Sequence, residues 1–442
     1  MSSRLIEALA TTDELSAIFS DDALLQAVFT VEGALANVEG RLGVIPARAA
    51  AVISSATAAG VRTIDPATVA REAQASGTPI LPIVKALAER VRALDPAAAS
   101  FVHWGATSQD ISDTTMILQL SRARTAIAVD HNRVERALIE LSDRHASTIM
   151  LGRTLLQPAP PITFGLKTAG WYAAVRRGWQ RFTAACDDGL VLQFGGATGT
   201  LAALGDRGTK VAAALAAELG LRNPGAPWHA HRDNVAAIVT SCGIYTGTLG
   251  KIARDIALLM QAEVGEAAEP GGPSSSMPHK RNPAGCARVA AAATRLPGLV
   301  AAFLNGMAHE HERAVGGWHA EWPTMAAVVQ TTGAAVAAAA QVLEGLSVDP
   351  GRMRANLESN SVVFAERAVT LLARALPRDR AEKLVAAAVE RSRRTGQSLS
   401  ATLGEMPDVA GALTADDLQS LTRPESYLGE AEAFRRRLLE RE

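Results

Sequence analysis

The chain has 442 residues, of which 48% are hydrophobic and 20% charged, and its 44 basic residues balance 45 acidic ones. This composition excludes a disordered chain, and the charge balance argues against proteins that bind nucleic acids or acidic membranes, which need a basic face. Alanine makes up about a fifth of the chain and aromatic residues only 4%. Because alanine has the highest helix propensity, the sequence predicts an all-α protein.

The cysteines and the apolar stretches indicate a cytoplasmic protein. Cys186, Cys242 and Cys286 lie far apart without a C-x-x-C pair, which predicts reduced, buried thiols rather than disulfides or a zinc site. Acidic residues interrupt the first apolar stretch, and Arg288 and Arg295 interrupt the Ala-rich stretch 286–304. We therefore expect neither a secretory signal nor a membrane partner.

Turn signals divide the chain into three predicted helical domains. Asp95-Pro96 marks a break near the end of the first hundred residues, and a second break ends at Pro350-Gly351. The predicted domains are an N-terminal one at 1–110, a central one at 111–350 and a C-terminal one at 351–442.

The central domain is predicted to consist of long helices, at roughly 109–150, 233–262 and 284–346, with a break near 316–323. Apolar residues recur there at helical spacing. The first helix carries Ile117, Leu120, Ile127, Val134, Leu138 and Leu141. A helix of about 40 residues spans about 60 Å and needs packing partners along its whole length. Two arrangements fit: a monomeric bundle, or a multi-helix bundle built by several subunits, which we favour.

The segment 103–110, HWGATSQD, precedes the first long helix. Thr107 and Asp110 have the spacing of a capping box, so the segment also fits a plain helix start. His103 lies just before that start, near free backbone amides, where a histidine can bind an anion or carry a proton. His103 is therefore a candidate catalytic residue.

The segment 152–161, GRTLLQPAPP, is predicted to be a turn with a buried pair of leucines. It carries the polar residues Arg153, Thr154 and Gln157, and its prolines also fit a kinked entry into a helix. The glycine-rich segment 195–200 lacks the spacing of a nucleotide-binding loop.

A loop at 269–283, EPGGPSSSMPHKRNP, is the most distinctive segment of the chain. Its glycines and prolines forbid a helix, and three consecutive serines supply hydroxyls, which predicts a mobile lid. Asn282 and Pro283 fit the N-cap and first position of the next helix. The free amides of that helix, with Lys280 and Arg281, predict a site for a carboxylate. A solvated connector is the alternative.

Two histidine pairs do not predict a metal site. His229 and His231, like His309 and His311, are two residues apart, so on a helix they point to different faces.

The loop sequence SSSMPHKRNP resembles the signature GSSxMPxKxNP of the fumarase/aspartase superfamily. Further stretches resemble its bacterial 3-carboxy-cis,cis-muconate cycloisomerases, among them EAQASGTPILPIVKAL (72–87), HWGATSQD, GRTLLQ, FGGATGTLAALG (194–205) and EHERAVGGWHAEW (310–322). The resemblance spans most of the chain. It implies three helical domains, a homotetramer with active sites shared between subunits, and a small polycarboxylate as substrate.

The resemblance also implies roles for individual residues. Ser274 matches the family's catalytic proton-transfer serine, and Lys280 and Asn282 match positions that hold the substrate carboxylate. The remaining expected substrate-binding residues are Thr107, Ser108, Arg153, Thr154, Gln157, Ser275 and Met277. No metal or redox cofactor is expected, because a carboxylate of the substrate itself acts as the nucleophile.

Three positions depart from the family pattern. Leu155 stands where members that cleave C–N bonds usually have a histidine for the leaving amine, which favours ring closure over amine elimination. Pro273 replaces a common glycine and would stiffen the lid, and Asp22 replaces a basic residue that cycloisomerases often carry.

The sequence thus leads to one main hypothesis and two alternatives. The main one is a cycloisomerase of aromatic catabolism that closes 3-carboxy-cis,cis-muconate to a carboxymuconolactone, with His103 as a possible assistant of Ser274. The first alternative is a C–N lyase of the same fold that releases fumarate or a related acid. The second is a helical scaffold without activity.

Overall fold

The fold was analysed in a computed structural model, which describes residues 5–61 and 63–440. Helices account for 68% of the chain, which confirms the predicted all-α class. The described residues form two compact units, each built from three stretches: unit 1 contains 5–132, 177–250 and 288–338, and unit 2 contains 133–176, 251–287 and 339–440. The division of the chain into three domains, with boundaries after residues 110 and 350, stays a prediction.

The helices and strands follow in chain order. The α-helices are α1 (Asp13–Ile18), α2 (Asp21–Arg41), α3 (Ala47–Ala58), α4 (Pro66–Ser76), α5 (Ile80–Leu94), α6 (Ser108–Arg144), α7 (Phe164–Gly189), α8 (Gly208–Glu218), α9 (Asp233–Leu259), α10 (Ala284–Gly306), α11 (Gly317–Glu344), α12 (Pro350–Glu358), α13 (Ala365–Leu372), α14 (Arg378–Thr395), α15 (Leu399–Gly404), α16 (Ala415–Ser420) and α17 (Ala431–Leu439). Short 3-10 helices occupy Glu7–Ala10, Ala98–Phe101, Ala202–Arg207, Ser361–Phe364 and Pro424–Tyr427. The strands are β1 (Ile149–Thr154), β2 (Gln157–Thr163), β3 (Ala267–Ala268), β4 (Gly272–Pro273), β5 (Arg281–Asn282) and β6 (Ser347–Val348).

Each unit has its own hydrophobic core. In unit 1, α2, α3 and α5 pack together around residues such as Phe29, Ile53 and Leu87. In unit 2, strand β1 and helices α12 to α15 pack around Leu151, Phe364 and other apolar side chains. The three cysteines are free and buried, as expected.

The predicted long helices are present. All six apolar residues of the α6 stripe are buried. The predicted break near 316–323 lies earlier in the chain, between Gly306 and Gly317, because Pro323 is accommodated inside α11. The break at Pro350 is confirmed: the Asp349 side chain accepts a hydrogen bond from the amide of Arg352, and Pro350 occupies the first turn of α12.

By length and composition, α9, α10 and α11 are apolar enough to cross a membrane. The expectation that charges interrupt every such stretch is wrong for these three, because an Ala-rich helix stays apolar despite an occasional charge. Within the chain, 61% of the most apolar window of α9 and 78% of that of α11 are buried, against 22% for α10. The apolar surfaces of α9 and α11 thus pack largely inside the chain, whereas most of the apolar window of α10 is exposed.

The segment 152–161 is a β-hairpin, so both the predicted kinked helix and the predicted burial of its leucines are wrong. Strands β1 and β2 pair antiparallel, with Thr154 opposite Gln157. Leu155 and Leu156 form the two-residue turn with φ of 50° and 63°, and they are 97% and 73% exposed. Gly152 is required, since a Cβ there would lie 2.3 Å from the Pro160 carbonyl oxygen.

One buried carboxyl of unit 1 makes stability depend on pH. Glu39 on α2 is fully buried, and neither of its carboxyl oxygens has a hydrogen-bond partner among the described residues. Burial, and secondarily the charge of Glu32, raise the pKa of Glu39 to about 8. The folded chain therefore keeps a proton there that the unfolded chain loses at lower pH, so the free energy of unfolding falls as pH rises from about 4.5 to 8.

Glu39→Gln should abolish this decline, because a neutral amide cannot ionise. We expect the variant to gain stability relative to the parent between pH 5 and pH 8, by on the order of a few kcal/mol. Urea unfolding followed by circular dichroism across that range measures the difference, and the exposed Glu72→Gln serves as control. Parallel pH curves for the parent and Glu39→Gln would contradict the argument.

Candidate active site

The start of α6 in unit 1 positions the first group of candidate residues. The amide of Thr107 donates to the Asp110 carboxylate at 3.1 Å, which is one half of the predicted capping box. The other half is absent: the Thr107 hydroxyl accepts a hydrogen bond from the Arg313 guanidinium at 2.7 Å instead. Thr107 and Arg313 are thereby brought together, with Ser108 next to them as the first residue of α6.

Asp110 fixes this helix start to the glycine-rich segment at 195–200. Its buried carboxylate accepts hydrogen bonds from the amides of Gly195 and Gly196, at 2.9 and 2.8 Å, and from the Gln193 side chain. Burial raises the pKa of Asp110 to about 6, against these hydrogen bonds, which lower it. The glycine-rich segment therefore has a structural role, since its buried backbone amides bind a side chain of the protein itself.

His103 is held by an acidic side chain that the sequence did not indicate. Its Nδ1 lies 2.6 Å from Oε1 of Glu32 on α2, which is 1% exposed, and its backbone is left-handed with φ of 62°. Burial would lower the pKa of His103, but the charge and hydrogen bond of Glu32, with the more distant Asp110, raise it above its usual range. The imidazole is thus favoured in its charged form.

A buried ionic cluster supports the Thr107–Arg313 contact. Arg232, at the start of α9, donates to Asp113 on α6 at 2.7 Å and to Glu321 on α11 at 2.5 Å, and all three side chains are at most 1% exposed. Burial would lower the pKa of Arg232, but the two carboxylates raise it further above its ordinary value. The cluster ties α11 and the preceding segment to α6, and that segment carries Arg313.

The histidines near Arg313 have different surroundings. His309 is buried, with Nε2 3.2 Å from Glu321, and so belongs to the ionic cluster. The ring of His319 contacts that of Trp318 edge-on and that of Trp322 at a tilt. The exposed His311 has a left-handed backbone. Of the residues in 309–319, it is Arg313 that offers a cation next to a predicted substrate-binding residue.

In unit 2, the base of the loop 269–283 is a short two-stranded ladder. Gly272 pairs with Asn282 and Pro273 with Arg281. The Asn282 side chain donates to the Pro273 carbonyl at 3.3 Å, so its predicted contact with a substrate carboxylate would compete with this bond. The ladder closes the loop and leaves Ser274 to Lys280 as its outer part.

Ser274 is held by backbone amides. Its Oγ accepts hydrogen bonds from the amide of Met277 at 3.1 Å and, more weakly, from that of Ser276 at 3.4 Å. Such donors favour negative charge on the oxygen, so they stabilise Ser274 after it gives up a proton. The side chains of Ser275, Met277 and Lys280 are exposed on the same loop. Within the described residues, Lys280 makes no ion pair.

The N-terminus of α10 binds a carboxylate of the chain itself, so the predicted free anion site there is wrong. The buried carboxylate of Glu269 accepts from the amides of Gly285 and Cys286 at 2.9 and 3.1 Å. Asn282, predicted as the N-cap, lies in β5 instead. Burial and the neighbouring Glu269 raise the pKa of the Cys286 thiol to about 12. Glu269 thus joins the first residue of the loop to the helix that follows it.

Glu269→Ala should destabilise unit 2 and loosen the loop, because it leaves two buried amides of α10 without partners. We expect a loss of about 1–3 kcal/mol in the free energy of unfolding, with faster hydrogen exchange at 270–286. The matched control is Glu263→Ala, whose side chain is exposed. A loss no larger than that of the control, with unchanged exchange, would contradict this role.

The hairpin of unit 2 carries the remaining candidates. Thr154 and Gln157 flank the exposed turn, which brings them together at its tip. Arg153 donates from both terminal nitrogens to the buried Glu266, at 2.8 and 2.6 Å, and Asn356 donates to the same carboxylate. This pairing anchors the hairpin, and the substrate contact expected of Arg153 stays a prediction.

Comparison with known proteins identifies the family of this chain. A family model described as Lyase matches residues 7–298, and one described as adenylosuccinate lyase C-terminus matches 361–438. The chain belongs to this lyase family. The resemblance to the fumarase/aspartase superfamily and the helical fold are therefore confirmed.

Individual lyase-family relatives cover almost the whole chain. A 3-carboxy-cis,cis-muconate cycloisomerase of Pseudomonas aeruginosa is 44% identical over 99% of this chain and 96% of its own. A nitrosuccinate lyase of Streptomyces davaonensis is 39% identical over 97% of this chain and 93% of its own. The crystal structure of 3-carboxy-cis,cis-muconate lactonizing enzyme from Pseudomonas putida has a TM-score of 0.92 and 40% identity, covering 99% of this chain and 98% of that one.

Proposed function

We propose that this member of the lyase family is a cycloisomerase that converts 3-carboxy-cis,cis-muconate to a carboxymuconolactone. The observation that carries the proposal is the amide-supported hydroxyl of Ser274, held on a closed loop that also presents Lys280. The cycloisomerases among the relatives make this substrate the first to test.

The reaction requires one proton and no leaving group. A carboxylate oxygen of the substrate bonds to the far alkene carbon, and the π electrons move to the neighbouring carbon, next to another carboxylate. Charge spreads into that carboxylate, where a cation such as Lys280 stabilises it. The neighbouring carbon then takes the proton of the Ser274 hydroxyl, and the amides of Met277 and Ser276 stabilise the resulting alkoxide until solvent returns a proton.

The position of Leu155 favours ring closure over elimination. It lies at the hairpin tip, 97% exposed, and an alkyl side chain there cannot protonate a leaving amine. Ring closure needs no such acid, since the carboxylate of the substrate stays attached. The similarity to a nitrosuccinate lyase keeps elimination as the competing activity.

The proposal includes a cytoplasmic homotetramer with shared active sites. Its support is the weakly covered apolar surface of α10 and the hairpin tip, which extends Thr154, Leu155 and Gln157 into solvent. Light scattering should give a particle of four times the 46.2 kDa chain. A sharper test mixes two variants that the proposal predicts to be inactive, Ser274→Ala and Gln157→Ala, after partial unfolding. Restored activity supports shared sites, and a monomeric particle would contradict them.

The activity is tested by adding the purified protein to 3-carboxy-cis,cis-muconate and following the loss of diene absorbance. Parallel reactions contain nitrosuccinate, aspartate and adenylosuccinate, with detection of fumarate. The proposal predicts loss of the diene with a lactone as product. Fumarate release without lactone formation would assign the chain to the C–N lyases, and no turnover of any of these substrates would favour an inactive scaffold.

A further inference from the structure

We propose that Glu32 is a positioning residue that holds His103 as a fixed, charged hydrogen-bond donor for a carboxylate of the substrate. The inference rests on the proposed cycloisomerase function and adds to it a residue far from every sequence motif of the site.

The contact itself is short and buried. Oε1 of Glu32 lies 2.6 Å from Nδ1 of His103, and the two side chains are 1% and 20% exposed. The Glu32 carboxylate engages one ring nitrogen, so the other, Nε2, is the atom that can meet a ligand. A carboxylate at Nδ1 fixes both the ring orientation and the site of the remaining N–H.

The backbone around His103 shows that this orientation is imposed. His103 has φ of 62°, a left-handed conformation that is unfavourable for a residue with a Cβ and persists where contacts enforce it. Two residues later, Gly105 has φ of 70°, and a Cβ there would lie 2.6 Å from the Leu204 side chain. The loop thus bends in one defined way and brings the ring of His103 to Glu32.

The charges facing His103 favour the imidazolium. Glu32 on α2 and Asp110 on α6 both attract it. Oε2 of Glu32 is buried without a hydrogen-bond partner in the described part of the chain, so His103 is its principal counter-charge. Glu39, two turns further along α2, is kept protonated at neutral pH by its raised pKa and so does not add a competing negative charge.

The test replaces Glu32 by Gln, which keeps the side-chain shape and an acceptor for Nδ1–H but removes the charge. The imidazole pKa of His103 is read by NMR of 13C-labelled histidine and assigned by its loss in His103→Asn. We expect it to fall by at least one unit in Glu32→Gln. The alkaline limb of kcat/KM should move to lower pH by a similar amount, with at least a tenfold loss of kcat/KM at pH 8.

Three further variants separate positioning from simple structural damage. Glu39→Gln, on the same helix and equally buried, should leave the His103 titration and the pH profile unchanged. Glu32→Asp keeps the charge and should restore most of the pKa. In a His103→Gln background, Glu32→Gln should cause no further shift of the pH profile.

An unchanged His103 pKa in Glu32→Gln, or a shift of equal size in Glu39→Gln, would overturn the proposal. If Glu32→Gln does not fold, Glu32→Asn, which also removes the charge, takes its place, and an unchanged His103 pKa there overturns the proposal as well. If the parent protein turns over no muconate, the proposed function fails, while the NMR titration still decides whether Glu32 controls His103.

Discussion

Replacing Ser274 by alanine is expected to lower kcat/KM for cycloisomerisation by about 10²–10⁴-fold, the usual contribution of a positioned proton donor. Without the hydroxyl, the carbon next to the carboxylate has no proton donor held by the Met277 amide. Substrate binding should weaken much less, because Lys280, the cation of the same loop, is untouched. Steady-state kinetics and calorimetric binding of a lactone product give the two quantities separately.

Ser276→Ala is the matched control for this substitution. It removes a neighbouring hydroxyl of the same loop but keeps the amide that donates to Ser274. We expect less than a tenfold change in kcat/KM. Retention of more than a tenth of the activity in Ser274→Ala would assign proton transfer to another group.

The second large effect is expected in the buried ionic cluster of unit 1. Arg232→Met should lower the free energy of unfolding by about 3–5 kcal/mol, because it leaves Asp113 and Glu321 buried without the guanidinium that pairs with both. Activity should fall as well, since the segment that carries Arg313 loses its anchor. The shift of the urea midpoint measures the first effect.

Two comparisons make the cluster prediction specific. Arg41→Met breaks the partly exposed pair with Glu218 and should cost at most about 1 kcal/mol. A triple variant that combines Arg232→Met with Asp113→Asn and Glu321→Gln should regain part of the lost free energy of unfolding. It buries no uncompensated charge. A loss in Arg232→Met no larger than that in Arg41→Met would contradict this description.

Local sequence patterns predicted much of the fold, because their causes lie within a few residues. The apolar stripe of α6 and the Asp349-Pro350 start of α12 are of this kind. The hairpin was missed because its turn consists of two leucines, whereas such turns usually contain Asn-Gly. The loop at 269–283 was predicted from its glycines and prolines, and the structure shows that a short ladder closes its base.

The polar contacts of the candidate site could not be predicted in this way. Glu32 lies 71 residues from His103, and Asp113 lies 119 from Arg232. The anion site at the start of α10 failed for the same reason: the pattern around Asn282 and Pro283 was read correctly as a helix start, but the carboxylate that occupies it comes from Glu269, 16 residues before Gly285. Only the tertiary fold brings such pairs together.

Turnover of 3-carboxy-cis,cis-muconate in deuterium oxide tests the proposed reaction most directly. If a carboxylate of the substrate adds to the alkene and Ser274 delivers the proton, NMR of the product will show a carboxymuconolactone with one deuterium on the carbon next to the carboxylate. The same lactone should form far more slowly with Ser274→Ala. A product without deuterium on that carbon, or a lactone formed equally fast by Ser274→Ala, would contradict the proposal.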